Sequence, residues 1–213
     1  MRMAVDNNVE SSLERYSSAE IPTAEGKLRV VVFRDHRHNA THTSSEHVAL
    51  IVGDISQNLN DVMVRIHSEC LTSEVFGSLK CDCREQFDAA LAMMRKNESG
   101  VLVYLRQEGR GIGLGNKMRA YALQSQGLDT VDANHELGFA TDLRNYDIAG
   151  EILENLGVTG VTLLTNNPDN VKGLSNSGIK IHERLACEVP SNDHSEGYLK
   201  TKRNRCGHML ELL

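Results

Sequence analysis

Three cysteines fall within one short stretch, Cys70-Leu-Thr-Ser-Glu-Val-Phe-Gly-Ser-Leu-Lys-Cys81-Asp-Cys83. A Cys-x10-Cys-x-Cys cluster predicts a turn-rich segment wrapped around a zinc ion. Three protein ligands leave a fourth position open for water, which marks catalytic rather than structural zinc. Water there loses much of its pKa and becomes usable near neutral pH. The spacing therefore predicts a zinc hydrolase. The competing readings are buried apolar cysteines or a disulfide pair. Five cysteines is an odd count, so full pairing within one chain is impossible. Residues 1–20 lack the apolar core of a signal peptide, and no run approaches the roughly 18 apolar residues of a membrane span. These features predict a cytoplasmic protein with no membrane partner, where disulfides are disfavoured. Cys187 and Cys206 stand alone and read as ordinary residues.

The chain has 213 residues, which fits one α/β domain or one domain with an appendage. A net charge of −6 argues against a non-specific nucleic-acid binder, which would carry a basic stripe. With no tryptophan, five tyrosines and four phenylalanines, the core must rest on Val, Ile, Leu, Ala and Met.

Residues 1–20 are polar and read as frayed or a short helix. The β-branched run 28–33 predicts a strand. The segment 34–46, with His36, His38 and His42, reads as a solvated connection rather than a metal site. Strands follow at 47–55 and 62–67. Phe87, Ala90, Leu91 and Met94 recur at i, i+3, i+4, i+7, one face of a helix packed on a sheet. Strand 101–105 runs into Arg106-Gln-Glu-Gly-Arg-Gly-Ile-Gly-Leu-Gly115, then a helix over 116–124. Ala149, Ile152, Leu153 and Leu156 mark a further helix capped by Gly157. A strand at 161–164 and the turn Thr165-Asn-Asn-Pro168 lead into a short helix. The alternation in the second half favours an α/β architecture with partly parallel pairing.

Glycines 109, 111, 113 and 115 fit neither standard phosphate motif. Two readings stay open: a mobile loop, or a backbone cradle for an anion before a helix N-terminus. Arg106, Arg110, Lys117 and Arg119 against Glu108 favour a polyphosphate cradle. Glu108 suits a guanine N–H edge better than a phosphate. Asp142 and Arg144, with Tyr146 nearby, converge on a ligand if they lie on a loop, or form a surface pair.

Several ordered motifs resemble GTP cyclohydrolase II. They are Arg65-Ile-His-Ser-Glu-Cys70, Lys80-Cys-Asp-Cys83, Arg106-Gln-Glu-Gly-Arg-Gly-Ile-Gly-Leu114, Lys117-Met-Arg-Ala-Tyr-Ala-Leu-Gln124, Asp129-Thr-Val-Asp-Ala-Asn134, Leu137-Gly-Phe139 and Leu164-Thr-Asn-Asn-Pro168. The resemblance spans about 21–208 and implies a single compact domain of mixed sheets with flanking helices. It leaves 1–20 as an N-terminal extension and 209–213 as a tail. It implies an enzyme that opens the imidazole ring of GTP, releasing formate and pyrophosphate. The product would be 2,5-diamino-6-(5-phosphoribosylamino)pyrimidin-4-one, at the first step of riboflavin synthesis.

On the same resemblance, Cys70, Cys81 and Cys83 bind one zinc ion, and magnesium accompanies the GTP phosphates. Arg65, Ile66, His67, Ser68, Glu69, Gln86, Glu108, Gly109, Arg110, Thr130 and Thr165 line the nucleotide site. Asp142 matches the family's proton acceptor, Arg144 its proposed nucleophile and Tyr121 an active-site tyrosine. Arg144 can equally act by electrostatic stabilisation, since a guanidinium is a poor nucleophile while protonated. Association is expected as a homodimer. The family carries a basic residue where this chain has Asn170, and Lys172 is the candidate to replace it. The chain has no room for the fused dihydroxybutanone-phosphate synthase domain of bifunctional relatives. The alternatives are a paralogue that ends at a formylated or otherwise different ring-opened product, and a non-catalytic, zinc-stabilised nucleotide-binding regulator.

Overall fold

The computed structural model describes residues 12–37 and 46–212. His38, His42 and the first eleven residues of the polar extension lie outside the described residues. Among the described residues seven strands form one mixed sheet: β1 (Leu13–Thr23), β2 (Gly26–Asp35), β3 (Glu46–Gly53), β4 (Val62–Ser68), β5 (Ser99–Leu105), β6 (Gly160–Leu164) and β7 (Lys180–Leu185), in the order β1-β2-β3-β5-β4-β6-β7. Pairing is antiparallel from β1 through β3 to β5, and parallel from β5 through β4 and β6 to β7. The helices are α1 (Leu71–Glu74), α2 (Cys83–Lys96), α3 (Gly113–Gln124), α4 (Thr130–Glu136), α5 (Asp147–Asn155), α6 (Pro168–Asn176) and α7 (Glu196–Cys206).

Helices cover both faces of the sheet's centre. Ile148, Ala149, Ile152 and Leu153 of α5 join Leu174 of α6 against Val31, Phe33, Ala49, Ile51, Val64, Val103 and Leu163. On the opposite face Ala90, Leu91 and Met94 of α2 pack against Leu28, Val52, Leu102 and Leu164. The helical spacings at 87–94 and 149–156 are therefore the two stripes that seal the sheet. Each fully buried Leu or Ile stabilises the fold by about 1.5–3 kcal/mol relative to exposure. Central β5 is buried on both faces along most of its length, hence its unbroken apolar run. α5 ends as its sequence predicts, with Gly157 at φ 80° and the Val158 amide returning to the Leu153 carbonyl at 2.9 Å.

The N-terminal reading needs correction. Residues 13–20 are neither frayed nor helical; they form most of β1, paired with β2 from Leu13 opposite Asp35 to Thr23 opposite Gly26, with an irregularity around Tyr16. Apart from Leu13 the strand is exposed almost throughout, so ladder hydrogen bonds rather than a buried face hold it. Without a buried face there is no period-two pattern to read. His36 is half of an exposed pair with Glu14 at 2.9 Å. The strand expected at 47–55 ends at Gly53, where Asp54 caps a short 3-10 turn.

Candidate active site

β4, β5 and β6 run parallel, with Ser68 opposite Leu105 where β4 and β5 end. Segments leaving the carboxyl ends of parallel strands enclose a crevice. Here these segments are Glu69–Cys70 after β4, the glycine loop after β5 and Thr165-Asn-Asn after β6.

Cys70 precedes α1, a single turn that reverses the chain toward Cys81, and Cys83 opens α2. The three sulfurs lie within 4.8 Å of one another, with Cys70 and Cys81 3.6 Å apart. Tetrahedral zinc with bonds near 2.3 Å holds thiolates about 3.8 Å apart, so the donor set fits that ion. The charges agree. Hydrogen bonds from Cys81 and Cys83, with Lys117 nearby, hold Cys70 strongly toward the thiolate. The same contacts with Cys70 push Cys81 and Cys83 up. Three adjacent thiolates need a cation to coexist.

Lys117, from α3, sits 3.2 Å from the Cys70 sulfur and 2.7 Å from Glu108 Oε1. Glu108 also accepts from the Leu71 amide and its neighbour Gly109, each at 2.7 Å. Three of a carboxylate's roughly four acceptor positions are thus taken inside the protein. Glu108 is first a bracket joining the glycine loop, α1 and α3, with little capacity left for a base edge.

Only part of the glycine loop's positive charge faces the cleft. Arg106 lies 3.6 Å from Glu69 and is substantially exposed, Arg119 bonds Asn116 at 3.1 Å, and Lys117 is committed as above. Only Arg110 and Lys117 of the four reach the cleft. The loop turns sharply, with Gly109 and Arg110 both left-handed at φ 64° and 60°. It docks on residues 141–146: the Leu143 amide bonds the Arg110 carbonyl at 3.0 Å, and Gln107 exchanges bonds with the Asn145 backbone at 2.8 and 2.7 Å. A Cβ on Gly111 would meet Leu143 at 3.1 Å.

That docking presents Asp142 and Arg144 from a loop, so they converge. Arg144 Nε donates to both Asp142 oxygens at 2.9 and 3.1 Å, Nη2 donates to Oδ2 at 2.6 Å, and Nη1 reaches Ser68 Oγ at 3.4 Å. Burial alone would lower the Arg144 pKa, but Tyr146 and Asp142 outweigh it and hold the guanidinium charged. Burial would likewise raise Asp142, but Arg144 dominates and holds it below the usual carboxylate range.

The crevice has two compartments. One encloses about 660 Å³ and is lined by the three-cysteine cluster, Glu69, Glu108, Gly109, Arg110, Lys117, Tyr121 and Thr130. The other encloses about 570 Å³, lined by Arg65, Ile66, His67, Gln86, Asn166, Asn167, Asn170, Lys202 and His208. Ser68, Cys83, Arg144 and Tyr198 line both. Asp142 stands behind Arg144 rather than on the wall. Thr165 is fully buried, accepting from the Asn167 amide and Asn170 Nδ2 at 3.0 Å each; it shapes the wall without forming it. Asn170 is part of that buried network, whereas Lys172 is exposed and lines neither compartment. Cys187 is a core residue, buried under α2. Cys206 lies 3.4 Å from Arg110 Nη1. The sequence reading missed Tyr198 and Lys202 as wall residues, because α7 buries only Leu199 and Lys202 and so carries no apolar stripe.

Fold and site define a class: an α/β protein whose parallel strand ends join a three-thiol cluster with the geometry to hold a metal ion to a charged arginine in one cleft. The chain belongs to the GTP cyclohydrolase II family, whose model matches residues 14–186. Riboflavin biosynthesis protein RibBA of Bacillus subtilis (strain 168) is 47% identical over 203 residues, covering 95% of this chain and 50% of the relative. RibBA of Bacillus cereus (strain AH187) is 52% identical over 169 residues, covering 79% and 42%. The chain thus spans about half the length of the curated relatives it matches. RibBX of A. baumannii, a two-domain 3,4-dihydroxy-2-butanone 4-phosphate synthase, is a remote structural likeness at 20% identity and TM-score 0.43, covering 84% of this chain and 41% of that one. No helix among the described residues is long and apolar enough to cross a membrane.

Proposed function

We propose that this chain hydrolyses GTP, opening the imidazole ring at C8 with release of formate and pyrophosphate to give the diaminopyrimidinone of riboflavin synthesis. The observation that carries this reading is the shared wall: Cys83 of the thiol cluster and Arg144 line the same two compartments. One nucleotide can then present its ring to the thiols and its α-phosphate to the guanidinium. Cys70, Cys81 and Cys83 would hold zinc, which supplies a Lewis acid and a water of lowered pKa when bound. Burial pushes the Tyr121 pKa up, so its hydroxyl keeps a proton to donate near C8. Arg65, Gln86 and Arg110 orient the nucleotide from the two compartments, and magnesium accompanies its phosphates.

Arg144 acts here as a fixed positive charge. Covalent attack by its nitrogen requires deprotonation, and both pKa directions in the Asp142–Arg144 pair oppose that transfer. Stabilising the charge that develops on the transferring phosphoryl group needs no proton movement. Asp142 holds the guanidinium plane toward Ser68.

The test is product analysis from GTP, with formate, pyrophosphate and the ring product assayed separately. All three are expected. Formate absent beside a formylated ring-opened product would favour the paralogue reading, and no turnover with retained GTP binding the regulator. Cys81→Ser should abolish formate release while retaining some pyrophosphate release, and Arg144→Ala should lower pyrophosphate release by roughly 10²–10³-fold. A homodimer is the association the family resemblance implies, and light scattering of the purified chain checks its mass.

A further inference from the structure

The wall that sequence did not foresee, α7 and the residues after it, lies beyond residue 186, where the family match ends. Tyr198 is one of the residues common to both compartments. Lys202 is 9% exposed, and its Nζ lies 3.0 Å from Oδ1 of Asp82, itself 4% exposed and placed between two thiol ligands. Asp82 precedes α2 in the cap position, yet its carboxylate caps no amide, the usual role of Asp there. It turns instead to Lys202 and Gln86. Gln86 in turn accepts from Arg65 Nη2 at 2.6 Å. One polar chain therefore runs from α7 through the thiol loop to the floor of the second compartment.

Other tethers converge on the same segment. Arg205 pairs with Asp129 and Asp132 at the start of α4, Arg110 donates to Cys206, and the Met209 amide donates to the Asn166 carbonyl at 2.9 Å. Each partner belongs to, or adjoins, an element that forms the cleft. Apolar anchoring is slight, since Leu199 is the helix's one buried hydrophobic residue.

We propose that α7 is a functional wall of the substrate site, in which Tyr198 contacts the nucleotide where the two compartments meet and Lys202 is a positioning residue that fixes the Cys81-Asp82-Cys83 loop and the Gln86–Arg65 pair. The nucleotide part rests on the reading of the site as a GTP site.

The test uses the full chain carrying zinc, with Tyr198→Ala, Lys202→Met and Lys202→Arg. Binding of a non-hydrolysable GTP analogue is measured by calorimetry, and zinc release to a chromogenic chelator is followed without nucleotide. Tyr198→Ala removes the ring that Lys202 Nζ overlies at 4.5 Å but leaves the Lys202–Asp82 ion pair, and should melt within a few degrees of the parent. It is expected to bind the analogue at least tenfold more weakly, with zinc release unchanged. Lys202→Met should release zinc at least fivefold faster, and Lys202→Arg should recover most of the parent's slow release. Analogue affinity within twofold of the parent in Tyr198→Ala overturns the contact role. Unchanged zinc release in Lys202→Met, or equal acceleration in both Lys202 variants, overturns the positioning role. If Lys202→Met does not fold, Asp82→Asn replaces it, with the same faster release expected and unchanged release overturning the role. A parent that neither binds the analogue nor turns over GTP defeats the GTP reading, and the zinc arm still decides the role of Lys202.

Discussion

His47 is 3% exposed, and its Nδ1 accepts from the Arg106 amide at 3.1 Å. Burial pushes its pKa down to about 4, with Arg106 and Arg37 lowering it further and Asp35 opposing them. The unfolded chain binds the proton near the ordinary histidine value, so its contribution is fully present above pH of about 6.5 and is lost as pH falls toward 4. The loss amounts to about 3 kcal/mol at most. His47→Gln should flatten the decline of Tm over that window, and an unchanged Tm profile would remove His47 from the account. A second residue-scale expectation concerns Lys172. Because it is exposed and lines neither compartment, Lys172→Ala should leave KM for GTP within about twofold, consistent with a surface substitution. A large rise in KM would mean that the 165–172 turn closes on the nucleotide.

Among the elements, the glycine loop has the narrowest tolerance. Gly111 has φ 87°, and an added Cβ would press on the Leu143 backbone at 3.1 Å. Gly111→Ala therefore meets both backbone strain and a crowded neighbour and should cost about 1–3 kcal/mol. Because Leu143 lies between Asp142 and Arg144, pyrophosphate release should fall more than formate release. Equal loss of the two would show that the loop supports the fold rather than Arg144. Helix α4 gives a milder test. Asp129 caps it through bonds to the Val131 and Asp132 amides at 2.8 and 2.9 Å, so Asp129→Ala should lower stability by about 0.5–2 kcal/mol in a denaturant titration. A midpoint equal to the parent's would show that Arg205 and Asp132 hold this end alone. The helices at 87–94 and 149–156 were legible because each pays for its order with a stripe of buried side chains. α7 and β1 were not, since their hydrogen bonds and ion pairs leave no period in the sequence.

For the molecule as a whole, the chemistry was legible at the level of residue type. The Cys-x10-Cys-x-Cys spacing named the thiol cluster, whereas Asp142 and Arg144 stayed open between a surface pair and a converging one until the glycine loop docked on them. Local pattern also determined that the chain builds an α/β core sealed by two amphipathic helices. Tertiary structure decided how the charges are spent. Lys117 pairs with Glu108 and with the Cys70 sulfur, Asn170 on the wall of the second compartment bonds Thr165 behind it, and Lys202 arrives from 120 residues away in the chain to neutralise Asp82. A buried charge costs several kcal/mol unless it finds a partner. Which partner it finds depends on which distant segments the sheet brings to one edge, and no periodicity along the chain records that.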